Sequence, residues 1–87
     1  SDKATQELKK AAQLDVNNAR FAYVYAISVG KTEPKKAIEI LEKAYIKHNG
    51  DLQIVSGLAY YYKQTGNSEK SEVYEKKLKA LQNFSVR

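Results

Sequence analysis

The chain has 87 residues, 43% of them apolar and 29% charged, with a formal net charge of +5 and no cysteine. That length holds one small domain spanning residues 1–87 with a modest core, since a chain of this size buries only about 60–65% of its unfolded surface. The composition is that of a globular protein; the lack of cysteine excludes a disulfide framework and a thiolate metal site, and no apolar run approaches the roughly 18 residues of a membrane span.

Five helical segments follow in chain order, favoured by plentiful Ala, Lys, Glu and Leu and by having only one proline and four glycines. The first is predicted over residues 3–14, with Ala4, Leu8 and Ala11 on one face. "DVNN" (Asp15–Asn18) breaks it and offers an asparagine N-cap for the second, over 19–29. Gly30 ends that helix, and Pro34 suits the first turn of the third, over 34–47. "HNGD" closes the third, and Asp51 caps the fourth, over 52–64. "TGNS" breaks the chain again before the fifth, over 68–82, whose apolar stripe is Val73, Tyr74, Leu78 and Leu81. No period-two alternation competes, so the fold class is all-α with antiparallel neighbouring helices.

The strongest signal is a repeat. Ala4-x3-Leu8-x2-Ala11 recurs as Ala37-x3-Leu41-x2-Ala44, offset by 33 residues, and "AYVYAISV" (22–29) corresponds to "VSGLAYYY" (55–62) at the same offset. Self-similar helix pairs at this period mark a helical solenoid. On these residues the chain resembles the tetratricopeptide repeat, whose 34-residue helix–turn–helix unit reads W-x2-L-G-x2-Y, then A-x3-F, then P. The matching stretches here are Val55-x2-Leu58-Ala59-x2-Tyr62 and Ala37-x3-Leu41-x2-Ala44. The departures are Ala22 and Val55 at the tryptophan positions, Val16 and Asn49 at the proline positions, and Ser71-x3-Glu75 as a poor copy of the last helix. The resemblance implies a right-handed solenoid of helical hairpins, with two repeats plus a leading helix. Because such units come in groups, and because the chain starts at Ser1 and lacks methionine, it is expected to be a piece of a longer protein.

The stretch "LAYYYKQTG" (58–66) places three tyrosines in a row, and adjacent helical side chains point about 100° apart. On the helical wheel Ile54, Val55, Leu58, Ala59, Tyr61 and Tyr62 form a broad apolar face. Gln53, Gly57, Tyr60 and Gln64 fall on the remaining side, with Ser56 and Lys63 near it. Tyr61 and Tyr62 are therefore expected to pack and Tyr60 to stand out. In the resembled family that remaining side lines a concave, peptide-binding groove. The same register on the second helix gives packing positions to Phe21, Ala22, Tyr25, Ala26 and Val29, and groove positions to Arg20, Tyr23, Val24, Ile27 and Lys31. The expected groove has Tyr23 and Tyr60 as aromatic contacts, with Arg20, Lys31 and Lys63 giving positive charge suited to a peptide with acidic and apolar groups. The competing expectation is that Tyr23, Val24 and Ile27 are covered by the leading helix or by a neighbouring repeat.

Other chemistry finds no support. His48 is the only histidine and, with no cysteine, makes neither a zinc site nor a triad. Gly30 and Gly66 stand outside any phosphate-loop pattern, the serines lack a base partner, and Glu72 and Glu75 lie among lysines. No enzyme, metal or cofactor is expected. Some members of the resembled family clamp acidic chaperone tails with Lys, Asn and Arg; here the matching positions hold Tyr23, Ile27 and Gly57, so that ligand is not implied. The lysine clusters at 9–10, 35–36 and 76–79 have glutamates nearby, which argues against specific nucleic-acid binding. The expected function is protein or peptide binding, with a purely structural place at the end of a repeat array, or weak binding of RNA or an anionic surface, as alternatives. The sequence names neither partner, oligomeric state nor compartment.

Overall fold

A computed structural model describes residues 2–14 and 18–86, with side chains described for 3–10 and 18–83. It holds five α-helices: α1 (Asp2–Leu14), α2 (Ala19–Gly30), α3 (Pro34–Lys47), α4 (Leu52–Gln64) and α5 (Ser68–Val86). No strand occurs among the described residues. The expected boundaries agree closely, except that α5 continues four residues beyond Gln82, through a stretch with no glycine or proline to stop it. The side chain of Ala11 and the break at 15–17 lie outside the described residues.

Local chemistry sets each helix end. Asn18 caps α2, its side-chain oxygen accepting from the backbone N–H of Arg20 at 3.0 Å and of Phe21 at 3.3 Å. Asp51 caps α4 by accepting from Ile54 N–H at 3.0 Å. Each cap satisfies donors that the first helical turn leaves unpaired. Pro34 sits in the first turn of α3, where a missing N–H costs nothing. After α4, Gly66 takes φ +89°, while Asn67 N–H donates to Tyr62 O and Gly66 N–H to Lys63 O. That pair of bonds is the Schellman motif, and its left-handed position explains the glycine.

The connections α2–α3, α3–α4 and α4–α5 are short, of the length that joins antiparallel helical hairpins. Each helix packs on the next in sequence, and α2 also packs directly on α4. Among the described residues, no Cα of α3 comes within 8 Å of a Cα of α5, nor any of α1 of one in α3. Contacts between sequence neighbours, together with α2 on α4, make up the close helix–helix packing among the described residues.

The core lies between α2, α3 and α4 and extends to α5. Leu41, Ile54, Val55 and Leu58 are its largest fully buried side chains. Small residues stand where helices approach: Ala26 and Ala37 are completely buried, and Ala59 and Ser71 nearly so. Ser71, the poor copy of Ala37, still serves this role because its hydroxyl donates to the Ala59 carbonyl at 2.8 Å. A buried hydroxyl with that partner carries little penalty. At the other end α1 leans on α2, with the Thr5 and Ser28 hydroxyls 2.8 Å apart.

Four expected packing positions differ. Val73 is 48% exposed, because it lies one position around the helix from Tyr74, on the side turned away from α4. Phe21, in the first turn of α2, is exposed. Ala44 is half-buried, while the fully buried positions of α3, Ala37 and Leu41, lie earlier in the helix. Ala4 is exposed, while Leu8 is half-buried.

Candidate functional site

The three consecutive tyrosines separate as helical geometry requires. Tyr61 and Tyr62 are 4% and 8% exposed, whereas Tyr60 is 58% exposed. Tyr60 meets Tyr61 edge-on, with centroids 5.0 Å apart and planes at 78°, a favoured arrangement of aromatic quadrupoles. The Gln64 amide donates to the Tyr60 hydroxyl at 3.4 Å. Tyr60 is thus an outward ring held at its base by a buried one.

The α2–α4 seam lies beneath these rings. Gly57 is buried there: a Cβ at this position would lie 3.0 Å from Leu41 Cδ1 and 3.6 Å from Tyr23 Cε1. The missing side chain makes room for Leu41, and the Tyr23 ring lies beside it at ordinary contact distance. Farther along, the end of the Tyr61 ring occupies the space a Cβ on Gly30 would need. Tyr23 thus meets Gly57, and Gly30, seven residues on, meets Tyr61, four residues on from Gly57, so the helices run parallel. Burial pushes the Tyr61 hydroxyl above its ordinary pKa, with the nearby Tyr60 and Tyr23 hydroxyls adding to the shift.

Of the sequence-predicted site residues, Arg20, Lys31, Gln53, Ser56, Tyr60, Lys63 and Gln64 are exposed. Tyr23, Val24 and Ile27 are half-buried, and Tyr23 and Ile27 pack against the core. Tyr60 therefore stands outward as its register places it, while the Tyr23 ring packs partly against the core. The charges also separate. Arg20 opens α2, whereas Lys63 closes α4, about ten residues and so about 15 Å along the parallel axes. Arg20 and Gln53 mark one end of the seam; Lys31, Lys63 and Gln64 mark the other.

On the opposite side of the molecule lies a cluster absent from the sequence reading. Glu42 of α3 accepts from the Tyr62 hydroxyl at 2.5 Å and, through its other carboxylate oxygen, from the Tyr74 hydroxyl at 2.9 Å. The Tyr62 and Tyr74 rings stack with centroids 5.8 Å apart, and Tyr45 meets Tyr74 edge-on at 5.4 Å. Lys70 and Lys77 place their ammonium groups over the Tyr62 and Tyr45 rings, at 5.4 and 5.6 Å from the centroids. Burial, then the Glu42 hydrogen bond and charge, push the Tyr62 hydroxyl up to about 12 and the Tyr74 hydroxyl well above the ordinary tyrosine range. The cluster fills the gap that α3 and α5 leave between their backbones. Its members Tyr62 and Tyr74 were legible as packing residues, but their shared carboxylate partner was not, since Glu42 reads as solvated helix surface.

No group of three or more potential metal-ligating side chains comes together among the described residues, and no described helix is long and apolar enough to cross a membrane. No protein-family model matches the chain, and no curated protein matches it.

Proposed function

We propose that this chain is a helical-repeat module of the tetratricopeptide type that binds a protein or peptide along the α2–α4 face. The observation that carries the reading is the unequal spacing of its two seams. Helices α2 and α4 are in direct contact across Gly57, while α3 and α5 stand apart and are bridged by long side chains. Unequal spacing of this kind curves a stack, with the closer seam on the inside, and curved stacks bind extended ligands on their concave side. The period of 33 residues and the right-handed hairpin solenoid belong to the same reading.

The proposed groove has an aromatic middle, Tyr60 beside the half-buried Tyr23, and cationic ends at Arg20 and at Lys31 with Lys63. It suits an extended peptide with an apolar side chain near its centre and acidic groups toward its ends. Tyrosine and arginine are common anchors of binding energy. The test is selection of binding peptides from a random display library, followed by affinity measurement on variants. Selected peptides should lose about 1–2 kcal/mol of affinity on Tyr60→Ala, and about 2–4 kcal/mol when Tyr23→Ala is added. The second variant also needs a stability measurement, because Tyr23 touches the core. Peptides indifferent to Tyr60→Ala and to charge reversal at Arg20 and Lys63 would sink the proposal.

A further inference from the structure

The outer seam between α3 and α5 does not end at its tyrosine bridge. Past Tyr45, toward the C-terminal ends of both helices, it opens into a notch of about 580 Å³ lined by Tyr45, Ile46, Asn49, Lys77, Ala80 and Leu81. Ile46 at its mouth is 78% exposed, more than any other large apolar side chain described. A single exposed aliphatic residue is ordinary on a protein surface. This one stands beside a concavity with an apolar floor.

Charge distinguishes the notch further. Helices α3 and α5 run parallel, since Glu42 meets Tyr74 and Tyr45, three residues on, meets Lys77, three residues on from Tyr74. Their C-terminal halves therefore lie at one end of the molecule. Residues 43–50 contain Lys43 and Lys47 and no acid; residues 76–86 contain Lys76, Lys77 and Lys79 and no acid. The glutamates that accompany these lysines in sequence, Glu42, Glu72 and Glu75, all precede them. Glu42 is engaged by two tyrosine hydroxyls. Helix dipoles explain part of the lysine content, because cations are favoured in a last turn. Lys47 is such a residue, but α5 has no basic residue in its last turn. The α5 lysines stand two turns or more before its end.

We propose that this notch is a second docking site, separate from the α2–α4 face, for an acidic segment of a partner protein that inserts one apolar side chain against Ile46, Tyr45 and Leu81. Charge complementarity selects the occupant. Lys77, held over the Tyr45 ring, lines the notch itself, and Lys43, Lys47, Lys76 and Lys79, elsewhere on the same helix ends, add positive field around it without lining it. A second copy of this chain would bring lysines against lysines. A nucleic acid would gain little from the aliphatic floor, because base recognition needs aromatic faces for stacking, and Lys77 already covers the Tyr45 face. A bilayer is met by protruding apolar side chains, whereas this floor is recessed.

The experiment uses a fluorescein-labelled peptide of glutamate and aspartate with one central leucine, and the same peptide with serine in its place, in polarisation titrations at physiological salt. The leucine peptide should bind about tenfold or more tightly than the serine peptide, the range expected for one buried aliphatic side chain. Ile46→Ser and Lys77→Glu should each weaken the leucine peptide by about tenfold, with unchanged helical circular dichroism. Because the α2–α4 face as proposed also takes such peptides, these titrations are repeated on protein carrying Arg20→Gln, Tyr60→Ala and Lys63→Gln, which removes that face's contribution. The leucine peptide should still bind. The proposal is overturned if neither peptide binds, if the serine peptide binds equally well, or if Ile46→Ser has no effect. It is also overturned if a mixed-sequence DNA oligomer or phosphatidylserine vesicles bind more tightly than the peptide. Binding to the wild type that is abolished in the protein carrying Arg20→Gln, Tyr60→Ala and Lys63→Gln would instead place the peptide on the α2–α4 face, overturning the second site and leaving the first intact.

Discussion

The two seams of this molecule solve the same packing problem in opposite ways. Between α2 and α4 a glycine brings backbones together, and the contact is filled by Leu41, Tyr23 and the buried tyrosine of the next turn. Between α3 and α5 the backbones stay apart, and tyrosines with one shared carboxylate span the gap. The inner seam depends on close packing, which gains many weak dispersion contacts but tolerates no change of volume. The outer seam depends on rings and hydrogen bonds, which reach farther and yield more easily. Side-chain size at a few positions is thus enough to set the two seams at different spacings.

The sharpest way to break this contrast is at Leu41, fully buried against Gly57. Leu41→Ala should cost about 2–5 kcal/mol, by lost transfer energy and by the cavity left behind, read as a lower urea midpoint. Next comes overpacking. Ala37 is completely buried at a helix contact, so Ala37→Leu should cost about 1–3 kcal/mol. Ala44→Leu should cost less, because Ala44 is only half-buried. Equal costs for the two would show that the burial difference along α3 has no energetic meaning.

The outer seam should respond more weakly, and to pH. Tyr74→Phe keeps the ring stack and removes one donor to Glu42, a loss of about 1 kcal/mol. The tyrosine pKa shifts give the pH dependence its sign. Tyr62 is raised in the folded state from the ordinary tyrosine value of about 10 to about 12. Its contribution is therefore fully present below pH 10 and is lost as pH rises through about 12; Tyr74 is shifted in the same direction. Lysines titrate over the same range, so the informative quantity is the difference between proteins. The stability gap between the wild type and Tyr62→Phe should shrink from pH 9 to pH 12, measured by urea unfolding at each pH. A gap that widens would contradict the hydrogen-bond assignment.

The sequence carried some of this and concealed the rest for identifiable reasons. Helix ends were legible because Asn18, Pro34, Asp51 and Gly66 act locally, within a turn of their own position. The separation of Tyr60 from Tyr61 and Tyr62 follows from helical angle alone. The partial burial of Tyr23 was hidden, since its contact lies 34 residues away, beside Gly57 on α4. The Glu42 cluster was hidden because an i-to-i+32 partner leaves no local mark. The basic notch left a trace that a reading by charge cluster passes over. The acid-free stretches 43–50 and 76–83 stand one repeat period apart, and repeat geometry places such stretches side by side.

The smallest expected effect tests the α2–α4 face most cleanly. Tyr60→Ala removes a ring that is more than half exposed and whose one hydrogen bond, from Gln64, is long and exposed. Its contact with Tyr61 is an edge-on aromatic pair, worth about 0.5–1.5 kcal/mol where well buried and less on a wet surface. Alanine is also the better helix former by a few tenths of a kcal/mol, which offsets part of that loss. Tyr60→Ala should therefore stay within about 0.5 kcal/mol of the wild type. Tyr61→Ala, one position along, should cost about 3–5 kcal/mol, the range for a buried aromatic truncated to alanine. Urea melts of the two variants side by side decide the matter. A several-kcal/mol loss at Tyr60 would mean that its ring is structural, and a residue needed for the fold could no longer be assigned to a free binding surface.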